Sequence, residues 1–323
     1  MSRAGALRIA AAAAAAILLV VAAIAIVAQW RAREKAPPGP DARLFQEAAV
    51  GDATARLYDL FETIQGEVIA VGQRLVVVRG GQEIYRVEDR YVSLEVMEDM
   101  PEDDPRAVSP EPGANVLGGA ERHLTVFRST GGAHCCGLVT VLALDPAVAE
   151  IGRIESGNFP AHFAQLDDDP ALEVVAHDNV FAYWRASFAE SAAPRVVLKY
   201  DREAKAYVPA PALMRRPPPE AGALEAEAAR WRAQGRWRDE GLPETERVPS
   251  GLIAAAIDLI YAGNLDVAVE LINRAWPEGR AAARAEFLNT LVNCRLRESA
   301  YWPGVARLNG LEPAPPAASC PKG

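Results

Sequence analysis

The chain has 323 residues, half of them hydrophobic, with 34 Lys and Arg against 43 Asp and Glu and a net charge of −9. The first 35 residues hold five of the basic side chains and one acidic one, so the remainder stands near −13, a field that repels phosphate backbones and argues against nucleic acid as a partner. The length allows one large or two modest domains plus a tether, and the absence of a Gly-rich phosphate loop, a Walker lysine, a G-x-S-x-G elbow or an H-E-x-x-H pair makes an enzyme the less favoured class.

Residues 1–8 read as a cytoplasmic tail. Ile9 to Ala28 is an unbroken apolar run of roughly 20 residues, enough to span about 30 Å of hydrocarbon as a helix. Arg3 and Arg8 precede it; Trp30, Arg31, Arg33 and Lys35 follow, as an interfacial aromatic and snorkelling cations would. The run predicts an uncleaved signal anchor, with cleavage after Ile26-Val27-Ala28 as the competing reading. The short leader predicts N-inside orientation. The Ala-, Arg- and Pro-heavy composition points to a bacterium, hence a single-pass inner-membrane protein with its body in the periplasm. Residues 29–41 contain Ala36-Pro37-Pro38-Gly39-Pro40, a stiff extended tether.

In residues 42–65, Leu57, Leu60, Phe61 and Ile64 share one face at helical spacing, which predicts a helix packed on a sheet. Strands dominate residues 66–210. Arg74 to Arg79 and Gln82 to Val87 flank Gly80-Gly81 as a hairpin. Further strands are predicted at Tyr91–Val96, Leu124–Arg128, Leu138–Leu144, Glu150–Glu155, Leu172–His177, Arg195–Tyr200 and Lys205–Val208. The run Leu138–Leu144 is apolar at every position but Thr140, as a central strand covered on both faces would be. Met97 to Gly113 is a Pro-rich acidic loop. Regular strand spacing predicts a single all-β domain, propeller-like or a sandwich.

Residues 211–247 form a Pro-rich linker and a charged helix. From 248 to 310 the apolar spacing turns helical: Leu252, Ala255, Ala256, Leu259 and Ile260 form one stripe, Gly263-Asn264 breaks it, and Ala268, Leu271, Ile272 and Ala275 form the next. The run Leu259 to Trp276 resembles one tetratricopeptide repeat across its turn, which implies a helical hairpin (about 252–277). A third helix is predicted from Ala281 to Glu298. Cys294 and Cys320 are the natural disulfide pair, which pins the tail 311–323 onto that helix. The whole is an α+β chain: a transmembrane helix, an all-β unit and a C-terminal helical unit.

Two stretches carry candidate chemistry. Gln165-Leu-Asp-Asp-Asp-Pro-Ala-Leu-Glu-Val-Val175 resembles the calcium loop of FG-GAP and VCBS-type β-propeller blades. That resemblance implies Asp167, Asp169 and Glu173 as ligands of a calcium ion, with Gln165 where the family has its first Asp and Pro170 where it has glycine. The second stretch is His134-Cys135-Cys136, for which three readings stay open. One is a vicinal disulfide, formed although adjacent Cα atoms lie about 3.8 Å apart, below the usual range of about 4.4–6.8 Å. The second is a structural pair split across a strand. The third is a soft-metal site completed by His123, His162 or His177. The expected role is non-catalytic binding or scaffolding, with the membrane held by the N-terminal helix and another envelope protein as partner. Alternatives are an envelope hydrolase or thiol-redox protein centred on His134, Cys135 and Cys136, and a calcium-stabilised binding module.

Overall fold

The computed structural model describes residues 41–94, 105–132, 135–318 and 320. The expected tail 1–8, the span 9–28 and all of the tether but Asp41 lie outside the described residues. So do residues 95 and 96 of the expected strand Tyr91–Val96, residues 97–104 of the acidic loop, His134 and the Cys135 side chain. Among the described residues no helix is long and apolar enough to cross a membrane.

The strands form three sheets, the second and third interleaved along the chain because β6 (Ala107–Val108) of the third falls between strands of the second. The first is a meander of β1 (Asp41–Val50), β2 (Ala53–Ile64), β3 (Glu67–Arg79) and β4 (Gln82–Asp89). Its first two strands replace the helix expected over 42–65. Burial in β2 recurs at Ala53, Ala55 and Leu57, a period of two that marks one face of a pleated strand. Leu57, Leu60, Phe61 and Ile64 fit a helical stripe on their own, but pairing in the sheet overrides that spacing. Gln65 and Gly66 both have positive φ (54° and 87°), the backbone of a tight two-residue hairpin, and Gly80 and Gly81 (57° and 79°) repeat it between β3 and β4.

The second sheet has the order β5 (Tyr91–Ser93), β7 (His123–Gly132), β8 (Cys135–Ala143), β9 (Ala149–Gly157). The third has the order β13 (Ala206–Pro209), β12 (Arg195–Asp201), β11 (Glu173–His177), β10 (His162–Ala164), β6 (Ala107–Val108). The pairings resolved in both sheets are antiparallel. β8 is central, as its sequence predicts, and it serves two cores. Val139 and Val141 pack with the third sheet and the helices, while Leu142 and the following Leu144 pack with Ala53, Ala55, Leu57, Leu75 and Val77 of the first. A strand buried on both faces has no room for polar alternation.

The helices are α1 (Pro211–Met214), α2 (Ala221–Arg232), α3 (Ser250–Tyr261), α4 (Leu265–Ala275), α5 (Ala281–Asn289) and α6 (Trp302–Leu308). α3 ends in a Schellman turn: Asn264 N donates to Leu259 O (2.9 Å), Gly263 N donates to Ile260 O (3.0 Å), and Gly263 takes φ 82°. The α4 stripe Ala268, Leu271, Ile272, Ala275 is buried throughout. The third expected helix stops at Asn289 and continues as a π turn (Thr290–Cys294) and a 3-10 turn (Arg295–Glu298). Leu252, Ile253 and Ile257 share one apolar core with Val174, Ala176, Val196 and Leu198 of the third sheet.

The chain divides into two compact units. Among the described residues, one holds Asp41, Ala42 and Leu60–Val71; the other holds Arg43–Asp59 and those from Gly72 onward.

Candidate functional site

The acidic loop joins two adjacent antiparallel strands. β10 ends at Ala164, which lies opposite Glu173, the first residue of β11. The intervening chain closes on itself. Asp167 Oδ1 accepts from Asp169 N (3.1 Å) and Asp169 Oδ1 accepts from Ala171 N (2.8 Å), two Asx turns in succession. Gln165, standing where the calcium pattern has an aspartate, donates its amide to Asp167 O (2.8 Å) and to Asp169 O. Pro170 is received by Gly118, where a Cβ would meet Pro170 Cγ at 2.8 Å.

These turns leave one oxygen of each expected ligand pointing inward. Asp167, Asp169 and Glu173 offer ligand atoms that all lie within 4.8 Å of one another. The cation among them is Lys199 of β12, the strand next to β11. Its Nζ lies 2.5 Å from Asp167 Oδ2, 2.5 Å from Asp169 Oδ2 and 3.2 Å from Glu173 Oε1. An ammonium has three donors, and three carboxylates face it. Glu173 is fully buried; its Oε2 accepts from Leu166 N (2.9 Å), whereas its Oε1 has the ion pair but no hydrogen bond of good geometry. Burial works against the Lys199 charge, but the bonds to Asp167 and Asp169 and the ion pair with Glu173 outweigh it and hold the amine above the usual lysine range. The Lys199 bond, opposed by slight burial and helped by Ala171 N–H, holds the Asp169 carboxyl below the usual range.

The Cys-rich stretch is described only in part. Cys136 is disulfide-bonded, and its N donates to Thr130 Oγ1 (3.0 Å). A cavity of about 240 Å3 lies against the same hairpin, lined by Phe127, Ser129, Ser156, Asn158, Phe159 and Phe188 among others. The three described histidines do not form a ligand cluster with a cysteine or carboxylate; among the described residues the acidic trio is the only such group. His123 Nδ1 accepts from Val116 N (3.1 Å), and His177 packs against Phe159 at a tilt, with ring centroids 5.1 Å apart. Burial, more than any charge, pushes both imidazoles below their usual pKa. Cys294 and Cys320 are bonded, with Cα atoms 5.5 Å apart.

One polar cluster escapes sequence reading. Asp178, at the end of β11, is buried and accepts on Oδ2 from both Tyr261 OH and Ser299 Oγ, while its Oδ1 accepts from Val180 N (2.9 Å). Burial raises the Tyr261 pKa well above its usual value, and the Asp178 charge adds to it. Tyr261 and Ser299 lie 83 and 121 positions from Asp178 along the chain, so no local motif announces them.

Compared with protein-family models, with curated protein sequences and with solved structures, the chain gives no match.

Proposed function

We propose that this chain is a membrane-anchored extracytoplasmic protein whose body binds or scaffolds another envelope protein. The observation that carries the reading is the Cys294–Cys320 disulfide, since such bonds persist in oxidising compartments and are rare in the cytosol. The apolar run from Ile9 to Ala28 supplies the matching route out of the cytoplasm. The non-catalytic part is supported by how the acidic groups are used: Lys199 engages Asp167, Asp169 and Glu173, and Asp178 is held by Tyr261 and Ser299 away from solvent. An alkaline phosphatase fused after Gly323 should be active in intact cells; activity of a cytosol-only reporter at that position instead would sink the reading.

A second reading, a calcium-stabilised binding module, is favoured by one observation. Glu173 Oε1 is buried without a hydrogen bond and faces the same point as Asp167 and Asp169, the arrangement an oxygen-seeking cation uses. Under that reading Lys199 swings out and the ion takes its place; terbium luminescence on the purified chain decides it. The hydrolase or thiol-redox alternative centres on His134 and Cys135, which lie outside the described side chains, and on Cys136.

A further inference from the structure

The unit whose described residues are Asp41, Ala42 and Leu60–Val71 carries exposed apolar side chains near the hairpin turn at its tip. Ile64, Val68 and Ile69 are 46%, 58% and 41% exposed, beside the tight turn at Gln65-Gly66. Val68 and Ile69 are consecutive in β3, so they face opposite sides of the ribbon. A protein partner or a second copy laid on this ribbon covers one side and leaves the other in water. The acyl boundary of a bilayer surrounds both. The pairing of β3 with β4 begins only at Gln73, so the outer edge of β3 from Glu67 to Gly72 keeps its peptide groups hydrated only in a shallow, interfacial seat. The exposed carboxylates Glu62 and Glu67 lie close to the turn, with Glu67 between it and Val68, so the hairpin seats no deeper than the headgroup boundary, where they stay hydrated, and zwitterionic lipids suit it better than anionic ones.

Chain direction supplies the lipid. Ala42, in the same unit as the tip, follows the apolar run 9–28 after a short stretch. The 12 residues 29–40 reach at most about 40 Å when extended, so the tip is held close to any bilayer that the run crosses. We propose that Ile64, Val68 and Ile69 form a second membrane contact, seated in the interface of the bilayer that residues 9–28 span. This rests on the anchor reading above.

The test uses the full chain, with Val68 replaced by the photo-crosslinking amino acid benzoylphenylalanine, in vesicles of phosphatidylcholine and phosphatidylethanolamine. Carbonate washing first reports whether the anchor holds; illumination and intact-mass measurement then report what the tip touches. The expected result is a chain retained by the vesicles that gains the mass of one phospholipid. Retention without a lipid adduct, or with a crosslink to a second copy, overturns the tip contact and leaves the anchor standing. Release by carbonate overturns both.

Discussion

Lys199 Nζ lies 2.5 Å from Asp169 Oδ2 and 3.2 Å from Glu173 Oε1, so one ammonium ties an exposed carboxylate of the loop to a fully buried one at the foot of β11. In the calcium loops that this stretch resembles, a metal ion joins carboxylates in this way. Here a side chain from the neighbouring strand does so.

Lys199→Met is therefore expected to destabilise the fold by about 1–3 kcal/mol, because Glu173 Oε1 loses its only partner while remaining buried. Added calcium should raise the melting temperature of the variant and leave the original chain unchanged. If chelator lowers the melting temperature of the original chain, the metal reading replaces this one, and Asp169→Ala should then not add to the chelator effect.

Two sets of groups with shifted pKa values contribute to the pH dependence on the acid side. His123 and His177 have depressed pKa values in the fold, so the stability that they hold is complete above about pH 6.5 and is lost as pH falls below it. The Asp169 carboxyl, also depressed, gives up its share only below about pH 4. Melting curves should thus fall in two stages. His177→Leu should flatten the first stage and leave the second; an unchanged first stage would show that His177 does not drive it.

On the alkaline side the sign reverses. The raised Lys199 pKa means that its contribution is intact below about pH 10 and is lost as pH rises beyond that value. In Lys199→Met this alkaline loss should shrink, and equal losses in the two proteins would count against the lysine.

Tyr261→Phe removes one donor from buried Asp178 and is expected to cost about 1–3 kcal/mol. Ser299→Ala removes the other. Because both donors serve Asp178 Oδ2, the double variant should depart from the sum of the singles by about 0.5 kcal/mol or more. Strict additivity in denaturant melts would mean that the three side chains do not act as one cluster.

Cys294→Ser is expected to cost about 3.5 kcal/mol from the loop of 26 residues that the bond closes, and Cys294→Ser with Cys320→Ser should cost no more. The denatured chain, assayed without reductant, should show no free thiol. Four free thiols would remove the oxidising-compartment argument.

The sequence by itself determined the elements whose local chemistry leaves one choice. Gly80-Gly81 set a hairpin, Gly263-Asn264 stopped α3, and the spacing of Ala268, Leu271, Ile272 and Ala275 set the buried face of α4. The doubly apolar run of β8 declared a strand covered on both sides, and the loop 165–175 declared that its carboxylates converge. Tertiary structure decided what pairing across the chain decides. Residues 42–65 carry apolar groups that suit a helix face and a strand face alike, and neighbouring strands chose the strand. Lys199 reaches the loop from 32 residues beyond Asp167, and Tyr261 and Ser299 reach Asp178 from farther still. A charge's partner is chosen by proximity in space and by the cost of leaving a buried oxygen unpaired, and the order of residues along the chain records neither.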